Sequence, residues 1–438
     1  MMKYDYAIIG LGQTGYSCVE YLLSQGQSFF VLDDREQPPY LSKLKENYPE
    51  VELHLGKGNA EKLLAAEKII ISPGLPLTHE WIVYAKSHMK PLLTDITLFM
   101  DHAKAPIVLV TGSNGKSTVV KLVGHLASTK FKVLLGGNYG IPALDLLKEP
   151  IPDYYVLELS SFQLISTDNI HSFAATLLNI TPNHLDWHTS MEEYAQAKLK
   201  VYRDCQHPVV LGNLPMNYSE QLPIVDTLFT LDQGFILFDH QQIIATHDLP
   251  LPGKAYYANV LAAFSLAYYM GVLPEELAVA VQTFQGLPHR CELIATAQGC
   301  YWYNDSKATT LEAVIAAVSA IKNKHQGRVI LILSGLTKGV DLEPLKFAIA
   351  DKIDQLILLG QAARVFEALF SGIPCFLAQT MSEVVAFAKE HSKPGDVVLF
   401  SPAGASFDLF KNYQHRGDVF STTVREILCL DKDTITNS

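Results

Sequence analysis

Ile107-Val108-Leu109-Val110-Thr111-Gly112-Ser113-Asn114-Gly115-Lys116-Ser117-Thr118 is the stretch that decides the fold. Ile107–Val110 make a short apolar strand, a glycine-rich turn follows, and Val119, Val120, Val123 and Leu126 stripe one face of a helix beyond it. Backbone N–H groups of such a turn, together with the helix N-terminus, form a cradle for phosphate. In that setting Lys116 would reach the terminal phosphates of a nucleotide and the Ser117 hydroxyl would meet magnesium. The usual pattern has four residues between its glycines; here Gly112 and Gly115 bracket two, a shortened variant.

Outward from this loop the same rhythm repeats. Apolar runs bounded by Gly and Pro alternate with helical stretches at Tyr6–Ile9, Phe29–Leu32, Ile69–Ile71, Val156–Leu159, Thr176–Ile180, Val329–Leu333, Leu356–Leu359 and Val397–Phe400. This alternation predicts an α/β fold of parallel sheets covered on both faces, with ligands gathered at the carboxyl ends of strands. A chain of 438 residues fits about three domains. One seam is read near Leu93–Pro106, where a second α/β unit begins with its own phosphate loop, and another near Gly286–Pro288. The expected domains are therefore 1–93, 94–286 and 287–438. Pro208–Leu251 breaks the rhythm and reads as an antiparallel extension of the middle domain.

Composition narrows the function. Hydrophobic residues make up 48 % and charged residues 18 %, which permits extensive burial and disfavours disorder. A formal net charge of −11 argues against nucleic acid or an anionic membrane as partner. The opening MMKYDYAIIG lacks the marks of a signal peptide, and no apolar run approaches the roughly 18–20 residues of a membrane span. Six scattered cysteines with no CxxC pair read as reduced thiols. A cytoplasmic, monomeric enzyme is expected.

Three further residues carry chemistry. Glu158 sits inside an apolar strand, where an unpaired carboxylate is costly. An arginine, a helix terminus or a bound Mg²⁺ would compensate it, and the neighbouring phosphate loop favours magnesium. His184, in Thr181-Pro182-Asn183-His184, reads either as a ligand or as a turn hydrogen-bonder. In Met191–Arg203, positions 191, 194, 195, 198, 201 and 202 share one helical face, which places Lys198 in an apolar stripe and Lys200 on the polar face. Burial would make Lys198 a neutral amine; the alternative is a lysine snorkelling to water. Near the start, Gly10-Leu11-Gly12-Gln13-Thr14-Gly15 and Asp33-Asp34-Arg35 each follow a strand. They satisfy a dinucleotide fingerprint and so leave an NAD(P)-dependent oxidoreductase open.

Taken in order, the phosphate loop, Glu158-Leu-Ser-Ser-Phe-Gln163, Asn179-Ile-Thr-Pro-Asn-His184, Ala197-Lys198, Gly286-Leu-Pro-His289-Arg290 and Asn304-Asp305-Ser306-Lys307 resemble the Mur ligase family over essentially the whole chain. The glycine loop, Ser72-Pro73-Gly74 and the closing Ser401-Pro-Ala-Gly-Ala-Ser406-Phe-Asp-Leu-Phe-Lys-Asn-Tyr413 are similar to its D-glutamate-adding branch. The resemblance implies a Rossmann-like domain for a UDP moiety, a P-loop ATPase-type domain, and a C-terminal Rossmann-like domain for an amino acid. It implies ATP-dependent addition of D-glutamate to UDP-N-acetylmuramoyl-L-alanine through an acyl phosphate, in cytoplasmic peptidoglycan synthesis.

By the same resemblance Gln13, Thr14, Asp34, Arg35, Gly74, Asn138 and His184 would contact the UDP substrate. Gly112, Ser113, Asn114, Gly115, Lys116, Ser117, Thr118, Asn259, Arg290 and Asp305 would contact ATP. Ser117, Glu158, His184 and Lys198 would hold two magnesium ions, Lys198 as a CO₂-derived carbamate. Thr309, Lys338, Ser406 and Tyr413 would hold D-glutamate. Lys116, Glu158, His184, Lys198 and Lys307 would be catalytic. Two segments depart from the family pattern. The usual His-Asn pair before Asn259 is replaced by Ala255-Tyr256, which would let Tyr256 stack on the base. The usual Gly-Gly-Asp-Gly-Lys has become Ser334-Gly-Leu-Thr-Lys338. A folylpolyglutamate-type ligase shares the central domain but is disfavoured by the first and closing segments.

Overall fold

The structure, a computed structural model, describes residues 4–184, 187–211, 228–251, 253–337 and 341–429. They form two compact units, Met1–Ala245 with Ala258–Val281, and Thr246–Tyr257 with Gln282–Ser438.

In the first unit, β1 (Tyr4–Ile9), β2 (Phe29–Asp33), β3 (Leu53–Leu55), β4 (Ala66–Ile71) and β5 (Leu92–Leu93) make a parallel sheet in the order β3-β2-β1-β4-β5. A second parallel sheet contains β6 (Ile107–Thr111), β7 (Val133–Gly137), β8 (Tyr154–Glu158), β9 (Ser172–Leu177) and β10 (Cys205–Val209), in the order β10-β9-β6-β8-β7. Every residue of β6 is buried, as a central strand covered on both faces requires. With β8 and β9 on its two sides, the loops leaving the three strands meet at one edge. The two sheets share one apolar cluster running from Ile8, Leu11 and Val19 to Leu109, Leu157 and Ala175. Ser17 Oγ donates to Asp145 Oδ1 between them at 2.8 Å. That shared core is why the first two sheets form a single compact unit.

An antiparallel meander of β11 (Phe229–Asp232), β12 (Phe235–Phe238) and β13 (Gln241–Ala245) completes this unit. The extension expected from Pro208 to Leu251 is therefore antiparallel only in its later part. Pro208 and Val209 belong to β10, which runs parallel to β9. Proline is tolerated there because β10 is the edge of its sheet. Residues 212–227 of that stretch lie outside the described ones.

The second unit is a six-stranded sheet of β14 (Glu292–Ala297), β15 (Cys300–Asn304), β16 (Val329–Ser334), β17 (Gln355–Leu359), β18 (Cys375–Ala378) and β19 (Val397–Ala403), in the order β14-β15-β19-β16-β17-β18. Only β14 runs antiparallel, paired as a hairpin with β15.

Helix Asp95–His102 leads from the first sheet to the second. Thr94 caps it, accepting from Thr97 N at 3.0 Å, and the Thr94 hydroxyl meets Thr167 Oγ1 at 2.7 Å. Asp95, the first helical residue, is 2 % exposed, and burial pushes its carboxyl from 3.8 up to about 6. The folded state therefore holds this proton more tightly than the unfolded chain. The stability linked to it is complete below about pH 4 and lost as pH rises through about 6. Asp95→Asn keeps the shape and removes the charge. Measured by denaturant unfolding, it is expected to gain on the wild type by about 2–3 kcal/mol between pH 4.5 and pH 8. A difference that does not vary with pH would mean that Asp95 is not buried as a titrating acid.

Candidate active site

The phosphate loop leaves the carboxyl end of β6 and is pinned by the segment after β9. Ser113 N donates to Asn179 O at 3.0 Å and Asn114 N to Asn179 Oδ1 at 2.9 Å, while Asn179 Nδ2 returns a bond to Asn114 O at 3.1 Å. Ser113 Oγ donates to Thr181 O at 3.0 Å and lies 2.8 Å from the Tyr194 hydroxyl. These bonds explain why the strand expected over Thr176–Ile180 instead spans Ser172–Leu177: residues 178–181 leave the ladder to hold the loop. Gly115 caps helix Lys116–Ala127 with φ +87°, a conformation that favours glycine, and a Cβ there would meet the Asn259 side-chain oxygen.

Beside the loop stands a buried carboxylate. Glu158, the last residue of β8, is 3 % exposed. Ser117 Oγ donates to its Oε2 at 2.7 Å and Asn138 Nδ2 to its Oε1 at 2.8 Å. Both donors are neutral, and among the described residues no arginine pairs with it, so the charge itself is left for a cation. A hydroxyl and a carboxylate at the mouth of a phosphate loop are the hard oxygen donors that Mg²⁺ selects. The donor set fits that ion.

Lys198 faces the same loop. It is 1 % exposed; its Nζ donates to Gly112 O at 2.9 Å and to Thr111 Oγ1 at 3.4 Å, and lies 4.8 Å from the Tyr194 ring centre. Lys116 Nζ donates to the same Gly112 O at 2.8 Å and to Ser113 O at 3.0 Å. Burial first, then the charge of Lys116, hold the Lys198 amine well below the ordinary lysine range, against the opposing pull of Glu158. Of the two readings of Lys198, snorkelling is excluded. Tyr194, Ala195 and Val201 are buried beside it, as the stripe predicts. Lys200 corrects the expectation of a polar face. The α-helix ends at Leu199 and a 3₁₀ turn, Lys200–Tyr202, follows. Its side chain is 25 % exposed, with Nζ donating to Ile165 O at 2.7 Å and 3.6 Å from Asp168. The tighter turn rotates Lys200 off the face that 3.6 residues per turn assigns it.

His184 stands on an exposed turn with φ +56°, its ring edge-on to Phe162 at 4.9 Å. Ser117 and Glu158 are thus brought together. Among the described residues, no group of three or more His, Cys, Asp or Glu side chains is arranged to hold a metal.

The first sheet carries a cavity of about 340 Å³ at the carboxyl ends of β1, β2 and β4. Gln13, Thr14, Asp34, Arg35 and Gly74, five positions named from the sequence, line it together with Ser72 and His79. Asp33 is already committed. Its carboxylate accepts Leu11 N at 2.7 Å and Arg35 Nε and NH2 at 2.8 and 2.7 Å, and these bonds hold it below the usual carboxylate range against burial. The acid that a dinucleotide fold would offer to a ribose here holds the glycine loop instead.

In the second unit, Asp305 is buried, accepts Ser401 Oγ at 2.7 Å and Cys291 N at 3.1 Å, and is pushed by burial up to about 7. Lys307 places its Nζ 5.1 Å from the Tyr413 ring centre. Thr309 follows on the same turn, donating its N–H to Lys307 O at 2.9 Å, and Ser406 is 3 % exposed. Arg290 closes the bridge Leu287↔Arg290 ahead of β14. Tyr256 is buried, at 7 % exposure. Lys338 lies outside the described residues. Sequence reasoning missed Asn179, Tyr194 and Asp33 as supports. An Asn and a Tyr are ordinary at their positions, and only the fold brings them to the loop.

Three family models match the chain: a Mur ligase MurD-like N-terminal domain over residues 4–93, a Mur ligase middle domain over 110–225, and a Mur ligase glutamate ligase domain over 289–404. A UDP-N-acetylmuramoylalanine–D-glutamate ligase of Nitrosococcus oceani is 40 % identical over 438 residues, covering 96 % of both chains. One of the same name from Pseudomonas aeruginosa is 37 % identical, covering 96 % of this chain and 97 % of that protein. Among solved structures, the fold is similar to a UDP-N-acetylmuramate-alanine ligase of Thermotoga maritima, with TM-score 0.63, 16 % identity, and 97 % and 100 % of the two chains covered. It is similar too to the MurF ligase of Thermotoga maritima, with TM-score 0.59, 14 % identity, and 98 % and 96 % covered.

The tight approach of Asn259 to Gly115 is testable against Gly140, which also has positive φ but no neighbour within 4 Å of an added Cβ. Each substitution to alanine should cost about 1 kcal/mol of stability from backbone strain. Gly115→Ala alone should weaken nucleotide binding, by about tenfold or more in calorimetric titration. Equal affinities for the two variants would remove Gly115 from the phosphate cradle.

Proposed function

The chain belongs to the Mur ligase family, and on that premise we propose that it joins D-glutamate to UDP-N-acetylmuramoyl-L-alanine at the expense of ATP, in the cytoplasm, as a step of peptidoglycan precursor synthesis. The observation that carries this reading is the 40 % identity to a ligase of that name across 96 % of both chains. Among the described residues no helix is long and apolar enough to cross a membrane. We take the working form to be a monomer.

The chemistry follows from the functional groups. The L-alanyl carboxylate attacks the γ-phosphorus of ATP, the bond to the ADP oxygen breaks, and an acyl phosphate forms. The D-glutamate amine then attacks the acyl carbon, loses a proton, and expels phosphate to leave an amide. The obstacle is bringing one anion up to another, so catalysis is charge compensation and positioning. Lys116 would offset the terminal phosphates, within a cradle formed by residues 112–118. Ser117 and Glu158 would hold magnesium, which supplies further positive charge between the phosphates when bound. Lys198 would add CO₂ through its neutral amine, releasing a proton and leaving a carbamate whose oxygens can hold a second ion, with His184 nearby in the sequence. Gln13, Thr14, Asp34, Arg35 and Gly74 would take the uridine diphosphate, with Asn138 and His184 further along the substrate. The prior engagement of Asp33 favours this ligand over NAD(P). Asn259, Arg290 and Asp305 would contact ATP. Thr309, Lys338, Ser406 and Tyr413 would hold D-glutamate, with Lys307 next to the reacting groups.

Phosphate release measured with ATP and UDP-N-acetylmuramoyl-L-alanine should require D-glutamate from a panel of amino acids, and a folded Lys116→Ala protein should release almost none. Release supported equally by L-glutamate or other amino acids would contradict the substrate assignment. The carbamate has its own readout. With ¹³CO₂, a protein-bound carbonyl resonance should appear in wild type and in Lys200→Ala and be missing in Lys198→Ala, whose activity short-chain carboxylates should partly restore. The same resonance in Lys198→Ala would exclude that lysine as the site.

A further inference from the structure

Among the described residues of the second unit, Arg416 is the most deeply buried cation. It lies in helix Tyr413–Leu428, one turn from a start capped by Asn412, and is 0 % exposed. Its guanidinium donates in three directions: Nε to Ser306 Oγ at 3.1 Å, NH2 to Ser306 O at 2.9 Å, and NH1 to Gly404 O at 3.0 Å. The Phe400 ring lies 6.0 Å from the guanidinium carbon. Among the described residues no carboxylate forms an ion pair with it, and burial pushes its pKa down to about 10 against the pull of Asp408. A buried charge satisfied only by neutral acceptors adds little net stability compared with an apolar side chain of the same size.

What the guanidinium does accomplish is geometric. Ser306 belongs to the loop after β15, and Gly404 to the loop after β19. Beside Gly404 runs the start of the loop after β16, where a Cβ on Gly335 would approach Arg416 NH1 at 3.0 Å. The same loops are cross-tied by Ala403 N to Ala308 O at 3.0 Å and by the paired bonds of Leu336 with Ala405 at 2.9 and 3.0 Å. Ser306 Oγ in turn donates to Tyr413 O at 2.9 Å. Two of these loops carry residues assigned above to the amino acid, Thr309 after β15 and Ser406 after β19, and Tyr413 opens the helix that holds Arg416. A planar fork with fixed donor directions suits such a junction of two loops, and a lysine ammonium does not reproduce it.

We propose that Arg416 is a positioning residue for the amino-acid substrate, holding the loops after β15 and β19 in one register, with the loop after β16 tied to them through Leu336 and Ala405, without itself touching the substrate. This rests on the assignment of those loops to D-glutamate. The experiment is steady-state kinetics of full-length wild type, Arg416→Lys and Ser306→Ala, varying each substrate in turn, with thermal midpoints measured alongside. Arg416→Lys keeps the charge and loses the fork. It should raise KM for D-glutamate by about tenfold while those for ATP and the UDP substrate change by less than about twofold. Ser306→Ala removes one acceptor and should move the same constant in the same direction by less, and it decides the matter if Arg416→Lys does not fold. A lower thermal midpoint with all three KM values unchanged, or with all three raised together, would overturn the proposal. A wild-type protein that does not incorporate D-glutamate would instead contradict the assignment of function.

Discussion

Two lysine amines donate to one carbonyl oxygen, that of Gly112, at 2.8 and 2.9 Å. Two full positive charges sharing one acceptor in a buried place repel each other, so one amine gives up its proton more easily. Burial selects Lys198. The consequence is a division of labour at the end of β6. Lys116 lies at the helix N-terminus, half-buried; Lys198 is enclosed, and its amine is held well below the ordinary lysine range. Glu158 completes the arrangement from the next strand. Its two bonds come from neutral groups, Ser117 and Asn138, and its negative charge remains available to a cation. The segment after β9 holds the loop in this shape through Asn179 and Tyr194.

The two units solve the same problem alike. In each, a buried nitrogen-bearing side chain is bonded to backbone carbonyls in place of a carboxylate: Lys198 to Gly112 in the first, Arg416 to Ser306 and Gly404 in the second. Backbone carbonyls fix loops, and a cation that uses them leaves its own charge uncancelled.

Much of this was legible because it is local. The phosphate loop is a strand, a turn and a helix in twelve consecutive residues, and Glu158 and Lys198 declare themselves as charges inside apolar patterns. What the sequence hid depends on partners far along the chain. Lys200 was misplaced because the helix tightens to a 3₁₀ turn after Leu199, where its carbonyl partner comes from Ile165. The strand expected to reach Ile180 stops at Leu177 because the next residues serve the loop after β6. Asp33-Asp34-Arg35 satisfies a dinucleotide fingerprint, and that Asp33 is engaged by Leu11 and Arg35 is visible only in the fold. Arg416 lies outside every motif, and its role depends on loops more than ten residues and up to 110 residues away.

The most direct measurement of the central claim is the titration of the Lys198 side chain by NMR in protein labelled at lysine Cε and Nζ, assigned with Lys198→Arg. This amine is expected to titrate well below the ordinary lysine value of 10.5 and to move upward in Lys116→Met, where the competing charge is gone. A Lys198 that titrates at the ordinary lysine value and does not respond to Lys116→Met would contradict this reading.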